Sequence, residues 1–136
     1  MTENNDIITV ENANQLSIWS SIKGDTQDDR LKVFAAVQNA ESLDDHIGEE
    51  IRVRDIVMQD VEMTNDDGVT EIRKRIVLID DEGRAYACVS RGVQTAIANL
   101  IVIVGEPTWE PAIPFVPTKK PGNNGYKYTT LIYNGE

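Results

Sequence analysis

The chain has 136 residues, a net charge of −10, 40% hydrophobic and 26% charged residues, and one cysteine. That length suits one domain with its own core, and the composition excludes a disordered chain and a disulfide scaffold. There is no apolar run of about 18 residues and no basic-then-apolar start, so neither a membrane span nor a secretory signal is expected and the cytoplasm is the expected compartment.

Residues 1–14 are polar and acidic and read as a flexible arm. Residues 15–47 read as an N-terminal extension. Within it, residues 16–22 suit a short strand or a turn of helix anchored by Ile18 and Trp19. A short helix is expected from about residue 30 to 41, capped by Asp28 or Asp29, with Leu31, Phe34, Ala35 and Val37 as its apolar side.

Residues 48–136 have a strand rhythm. The run 50–63 is long for one straight strand, so a bulge is expected near Asp55 or Asp60. Asn65-Asp66-Asp67-Gly68 marks a turn, residues 70–80 a second strand, Asp81-Glu82-Gly83 another turn, and residues 84–90 a third strand. Val93, Ala96, Ile97, Leu100, Ile101 and Val104 then recur at helical spacing until Gly105 and Pro107, although the β-branched tail 101–104 also suits a strand. Residues 112–118 suit a fourth strand, which Pro114 and Pro117 place at an edge. Residues 119–125 read as a flexible loop, and the alternating Tyr, Thr and Ile of residues 126–133 as the fifth strand. The expected fold is mainly β: a five-stranded OB-fold barrel with a helix between strands three and four, preceded by a helical extension. An SH3-like barrel or an open α+β sheet fits the same order.

No catalytic constellation is legible. His46 is the only histidine, no second His or Cys stands near it in sequence, and Cys88 falls in an alternating strand where a small core residue is expected. The acidic turns lack the spacing of a calcium loop, and the glycines form no phosphate-binding motif. A non-enzymatic chain without metal or cofactor is therefore expected.

The charge argues against nucleic acid until its distribution is considered. Residues 1–47 carry nine acids and three bases, and residues 48–136 fourteen acids and ten bases. In the second part the acids fall largely in turns and several bases inside strands, which leaves room for a local basic face. A single-strand binder needs aromatic platforms for bases and cations for phosphates. The platform candidates are Tyr86, Tyr126, Tyr128, Trp109 and Phe115, of which Tyr126 and Tyr128 share one strand face. The cation candidates are Arg52, Arg54, Arg73, Arg75, Arg84, Lys119, Lys120 and Lys127. Core packing is the competing role for each aromatic, and a solvated face for each arginine pair.

The stretch from Arg75-Ile-Val-Leu-Ile-Asp-Asp-Glu-Gly through Arg84-Ala-Tyr-Ala-Cys-Val-Ser-Arg-Gly-Val93, then Gly105-Glu-Pro-Thr-Trp109 and Tyr128-Thr-Thr-Leu-Ile132, resembles the small single-stranded DNA-binding replication proteins of phages of Gram-positive bacteria. The resemblance runs over roughly residues 45–133. It implies an OB fold, sequence-independent binding of single-stranded DNA, protection of replication intermediates, replication proteins as partners, and the host cytoplasm as location. Bacterial single-stranded DNA-binding proteins end in a long tail with an acidic tip. This sequence closes on Tyr133-Asn-Gly-Glu136, so recruitment through such a tip is not expected. The alternative is a phage structural or assembly protein that uses an OB-like barrel for protein–protein interaction, which the −10 charge favours.

Overall fold

The structure, a computed structural model, describes residues 18–24, 26–122 and 125–135. The acidic arm expected over residues 1–14 lies outside them. The chain is mainly β, a curled half-barrel sheet with two helices. A short strand β1 (Ile18–Ser20) leads to helix α1 (Gln27–Asn39), a two-residue strand β2 (Glu41–Ser42) and a 3-10 turn (Leu43–His46). The long hairpin β3 (Ile51–Thr64) and β4 (Thr70–Asp80) follows, then β5 (Ala85–Cys88), helix α2 (Arg91–Val104), and the hairpin β6 (Ile113–Pro121) and β7 (Lys127–Tyr133). The sheet order is β2-β5-β4-β3-β6-β7, with β1 also on β3. Seven strands are thus present where five were expected. The additions are β1, which realises the short-strand alternative for residues 16–22, and β2, which is too short for alternation to reveal.

β3 organises the sheet. On one side it pairs with β4 along nearly its whole length. On the other it pairs with β6 over Ile51–Val53 and with β1 over Val57–Gln59. The change of partner coincides with the register shift between Val53 and Asp55, one of the two places where a bulge was expected. The buried Asp55 carboxylate fastens this junction, accepting the Ser21 hydroxyl at 2.8 Å and the Thr108 hydroxyl at 2.5 Å. The Ser21 oxygen in turn accepts the Ile56 N–H at 3.0 Å.

Two apolar layers result. Ile51, Val53, Ile56, Ile76, Leu78, Tyr86, Val93, Ile97, Trp109, Phe115 and Leu131 fill the concave side, with Leu43 of the 3-10 turn wholly buried among them. Val57, Val77, Ile79, Ala85 and Ala87 form the outer layer under α1. Thr26 caps α1, accepting the Asp29 N–H at 3.1 Å, so Asp28 and Asp29 belong to the first turn and are not the cap. The helix buries Ala36 and partly buries Val33 and Val37, with Ala40 beyond its end, and leaves Ala35 exposed and Leu31 and Phe34 49% and 60% exposed. Both sets satisfy helical spacing. The small side chains of Ala85 and Ala87 admit a close approach only by the Ala and Val set.

α2 includes its β-branched tail. Ser90 caps it, accepting the Gly92 and Val93 N–H groups, and Gly105 ends it at φ 113° with its N–H on the Ile101 carbonyl. β6 is not an edge strand, because it lies between β3 and β7. Its ladder with β3 covers only Ile113–Phe115, so Pro117 falls where that flank carries no ladder. β6 also continues to Pro121, which turns the expected loop residues Lys119 and Lys120 into strand residues.

β5 and β7 are not laddered to each other. The opening between them is bridged by side chains. The Ser90 hydroxyl donates to the Thr129 carbonyl at 2.5 Å, Thr130 donates to the Gly92 carbonyl at 3.3 Å, and Thr129 donates to Asp44 at 2.9 Å. The approach depends on Gly92, where a Cβ would stand 2.3 Å from the Thr129 carbonyl oxygen and 2.8 Å from the Tyr128 ring. Gly92→Ala is therefore expected to cost about 1–3 kcal/mol, the range for overpacking. Urea unfolding checks this, and an unchanged midpoint would mean that the seam is loose.

His46 secures the segment beside that seam. Its Nε2 lies 2.7 Å from Glu41 and its Nδ1 2.9 Å from Glu49, and its ring meets Tyr86 edge-on at 4.9 Å. The hydrogen bond to Glu49 and, against some burial, that to Glu41 raise its pKa above the ordinary 6.5. A raised folded-state pKa gives stability that is full below 6.5 and lost as pH rises through the folded value. Thermal melting between about pH 6 and pH 8.5 should therefore show His46→Gln losing a decline that the wild type has. Parallel curves for the two would contradict this.

Candidate functional site

Three of the aromatics offered by the sequence are core residues. Tyr86, Trp109 and Phe115 are 6%, 5% and 6% exposed. The Tyr86 hydroxyl donates to Asp80 at 3.3 Å, and burial pushes its pKa up. The Trp109 indole N–H donates to the Gly105 carbonyl at 2.9 Å. Phe115 meets the Tyr133 ring edge-on at 6.5 Å. With so few aromatics in the chain, the concave core takes these three.

Most of the candidate cations are already matched. Arg52 pairs with Asp81 and Glu50, Arg54 with Glu110, Arg73 with Glu71, Arg84 with Glu82, and Lys119 with Asp44. Arg75 donates to the Val37 carbonyl at 3.2 Å and to Gln59 at 2.7 Å, which ties α1 to the sheet. Such exposed pairs contribute little stability, but they cancel the field that a phosphate would meet.

What remains converges on the β6–β7 hairpin. Tyr126 and Tyr128 are 72% and 43% exposed. Tyr128 stands directly across from Lys120, and Lys127 across from Pro121, so the Tyr128 ring and the Lys120 ammonium share a face. The Tyr128 ring also borders α2, forming with Arg91, Gly92, Thr95, Ala96, Asn99 and Thr130 a slot of about 530 Å³. Beyond Arg91 a second groove of about 320 Å³ is lined by Asp60, Ile72, Arg73, Lys74, Arg91 and Gln94. Among the described residues Arg91, Lys120 and Lys127 make no ion pair. Arg91 was missed in the sequence because it falls between the expected third strand, which ends at residue 90, and the helical spacing that begins at Val93. Ser90 as cap is the signal that puts Arg91 at the first helical position, where it projects between the two grooves.

A larger cleft, about 740 Å³, lies elsewhere, between α1 and the β4–β5 turn. Lys23, Lys32, Arg54 and Arg84 line it, and so do Glu41, Asp55, Asp80 and Asp81. Its charges cancel, whereas the slot beside Tyr128 has a base and no acid. Size therefore favours the α1 cleft for a small ligand, but electrostatics favours the hairpin for a polyanion.

His46 hydrogen-bonds only carboxylates among the described residues, burial raises the pKa of Cys88, and the described residues contain no group of His, Cys, Asp and Glu that could hold a metal. No described helix is long and apolar enough to cross a membrane. No curated protein and no solved structure matches the chain. The model of the phi29-type phage single-stranded DNA-binding protein family matches residues 12–133, which take in every element of the sheet and both helices. An exposed aromatic–cation face on a curled sheet, joined to a match over that span, places this chain in the phage single-stranded DNA-binding protein family.

Proposed function

We propose that this chain is a non-catalytic protein that binds single-stranded DNA without sequence preference along the β6–β7 hairpin, and that it protects phage replication intermediates in the host cytoplasm beside replication proteins. The observation that carries the reading is the cross-strand pair of Tyr128 and Lys120 beside Arg91, which makes no ion pair among the described residues. Bases stack on Tyr126 and Tyr128, and phosphates run past Lys127, Lys120 and Arg91.

The order β5-β4-β3-β6-β7, with α2 after β5, supports an OB-type domain over residues 48–136. Residues 15–47 are then its extension and residues 1–14 an arm. OB-type proteins commonly take oligonucleotides on their second and third strands. Here the outer face of β4 and β5 is apolar and lies under α1. That cover directs the strand to the hairpin and the α2 groove.

A second reading is a phage assembly protein using the barrel to dock another protein. The −10 charge favours it, as do Val102, Ile103 and Phe34, which are 84%, 80% and 60% exposed. A gel shift with oligo-dT at low salt separates the two. A retarded complex supports DNA binding, and an unshifted oligonucleotide supports assembly.

Two variants test the proposed face. Tyr128→Ala should weaken oligo-dT binding about tenfold, the lower end of the roughly 1–3 kcal/mol of a base–aromatic contact, with melting nearly unchanged. Lys120→Ala should cost less and reduce the salt slope by about 0.7, one phosphate contact on a single strand. If Tyr128→Ala instead lowers melting and leaves the affinity of the folded protein intact, the ring is a packing residue.

A further inference from the structure

The slot between α2 and β7 has a structure that stacking alone does not require. One wall is the Tyr128 ring, and the opposite wall is the α2 face carrying Gly92, Thr95, Ala96 and Asn99. Gly92 has no side chain and Ala96, one turn on, has a single methyl group. The space between helix and ring is left open by those two residues, while the ring is held close to the helix at the Gly92 end. Thr95 and Asn99 are also one turn apart, so they share the rim of the opening. Asn99 brings an amide with two donors and an acceptor, and Thr95 brings a hydroxyl. The Thr130 hydroxyl already donates to the Gly92 carbonyl, which leaves Asn99 and Thr95 as the polar groups facing whatever enters. Arg91, exposed and without an ion pair among the described residues, stands at the mouth. A flat apolar wall, an uncharged hydrogen-bonding rim and a cation at the mouth match the parts of one nucleotide: base face, base edge and phosphate.

We propose that this slot takes a single nucleobase out of the stacked strand and that Asn99 reads its edge, so that a base preference at this one subsite is superposed on sequence-tolerant stacking along the rest of the hairpin. The proposal rests on single-strand binding at the hairpin and adds a base-reading subsite to it. Base edges differ in their donors and acceptors, and an amide that satisfies one leaves another unpaired. Stacking on Tyr128 is open to every base, so any discrimination beyond stacking comes from Asn99, with Thr95 beside it.

The test is a competition titration of oligo-dT, oligo-dC and oligo-dA of equal length against the wild-type chain, Asn99→Ala and Tyr128→Ala, with melting curves for each. Asn99 is exposed and alanine is the better helix former, so the Asn99 variant should fold. The expected result is that Asn99→Ala changes the ratio of affinities among the three homopolymers by threefold or more, whereas Tyr128→Ala weakens all three. A second variant, Ala96→Leu, fills the slot and should bring the three affinities together. The inference is overturned if the homopolymer ratios of Asn99→Ala equal those of the wild type, whether or not overall affinity falls. If the wild type binds none of the three, single-strand binding at the hairpin fails and the subsite fails with it.

Discussion

The short segment from Ser90 to Gly92, held against Thr129 and Thr130, is the constraint on which the rest of the molecule depends. A curled sheet whose two ends, the β2–β5 side and β7, are not laddered to each other would leave a gap along its edges, a hazard that folded proteins avoid. The chain closes the gap with a serine hydroxyl, a glycine that lets backbone meet backbone, and an aspartate from the preceding 3-10 turn. Leu43 fills the space beneath and His46 ties the turn to its flanking carboxylates. Because α2 starts at this seam, its first turn and the β7 strand are fixed relative to each other. The Tyr128 ring, Arg91 and the Asn99 rim inherit that fixed geometry.

Charge is the second organising fact. An acidic protein cannot gather a polyanion by its overall field, so what matters is which bases its own acids leave free. Along β3, β4 and the β4–β5 turn, nearly every arginine meets a carboxylate. At the β6–β7 hairpin and the start of α2 no such matching occurs among the described residues for Lys120, Lys127 and Arg91. The outer sheet face is meanwhile closed by α1, with Arg75 anchored on its Val37 carbonyl. Charge and access together are the grounds for proposing the hairpin end as the surface that takes the strand.

Much of this was legible in the sequence, and the failures share a cause. Local signals gave the long elements: the Asn65–Gly68 turn, the strand over Thr70–Asp80 and the Gly105 stop of α2 all stand where turn chemistry and periodicity put them. β2 escaped because two residues carry no period, and the edge position of β6 was misjudged because proline content speaks only of missing donors, not of a ladder three residues long. α1 shows the same limit: Leu31 and Phe34 are more apolar than Val33 and Ala36, yet the alanines beneath select the smaller face. At the hairpin, the exposure of Tyr128 was legible from alternation in β7, whereas Tyr126, expected as its first residue, is exposed just before the strand begins. The burial of Tyr86, Trp109 and Phe115 depends on how many aromatics the core needs, and the pairing of the arginines depends on acids distant in sequence. Arg91 and Asn99 become visible only when α2 is laid against β7.

The most direct measurement is amide chemical-shift mapping of the folded chain as oligo-dT is added. The expected perturbations cluster at Arg91, Thr95, Asn99, Lys120, Lys127 and Tyr128, with the outer face of α1 at Leu31 and Phe34 and the layer at Val77 and Ile79 unmoved. Perturbations concentrated on α1 and the β4–β5 turn, with the hairpin silent, would contradict the account and move the strand to the other side of the sheet.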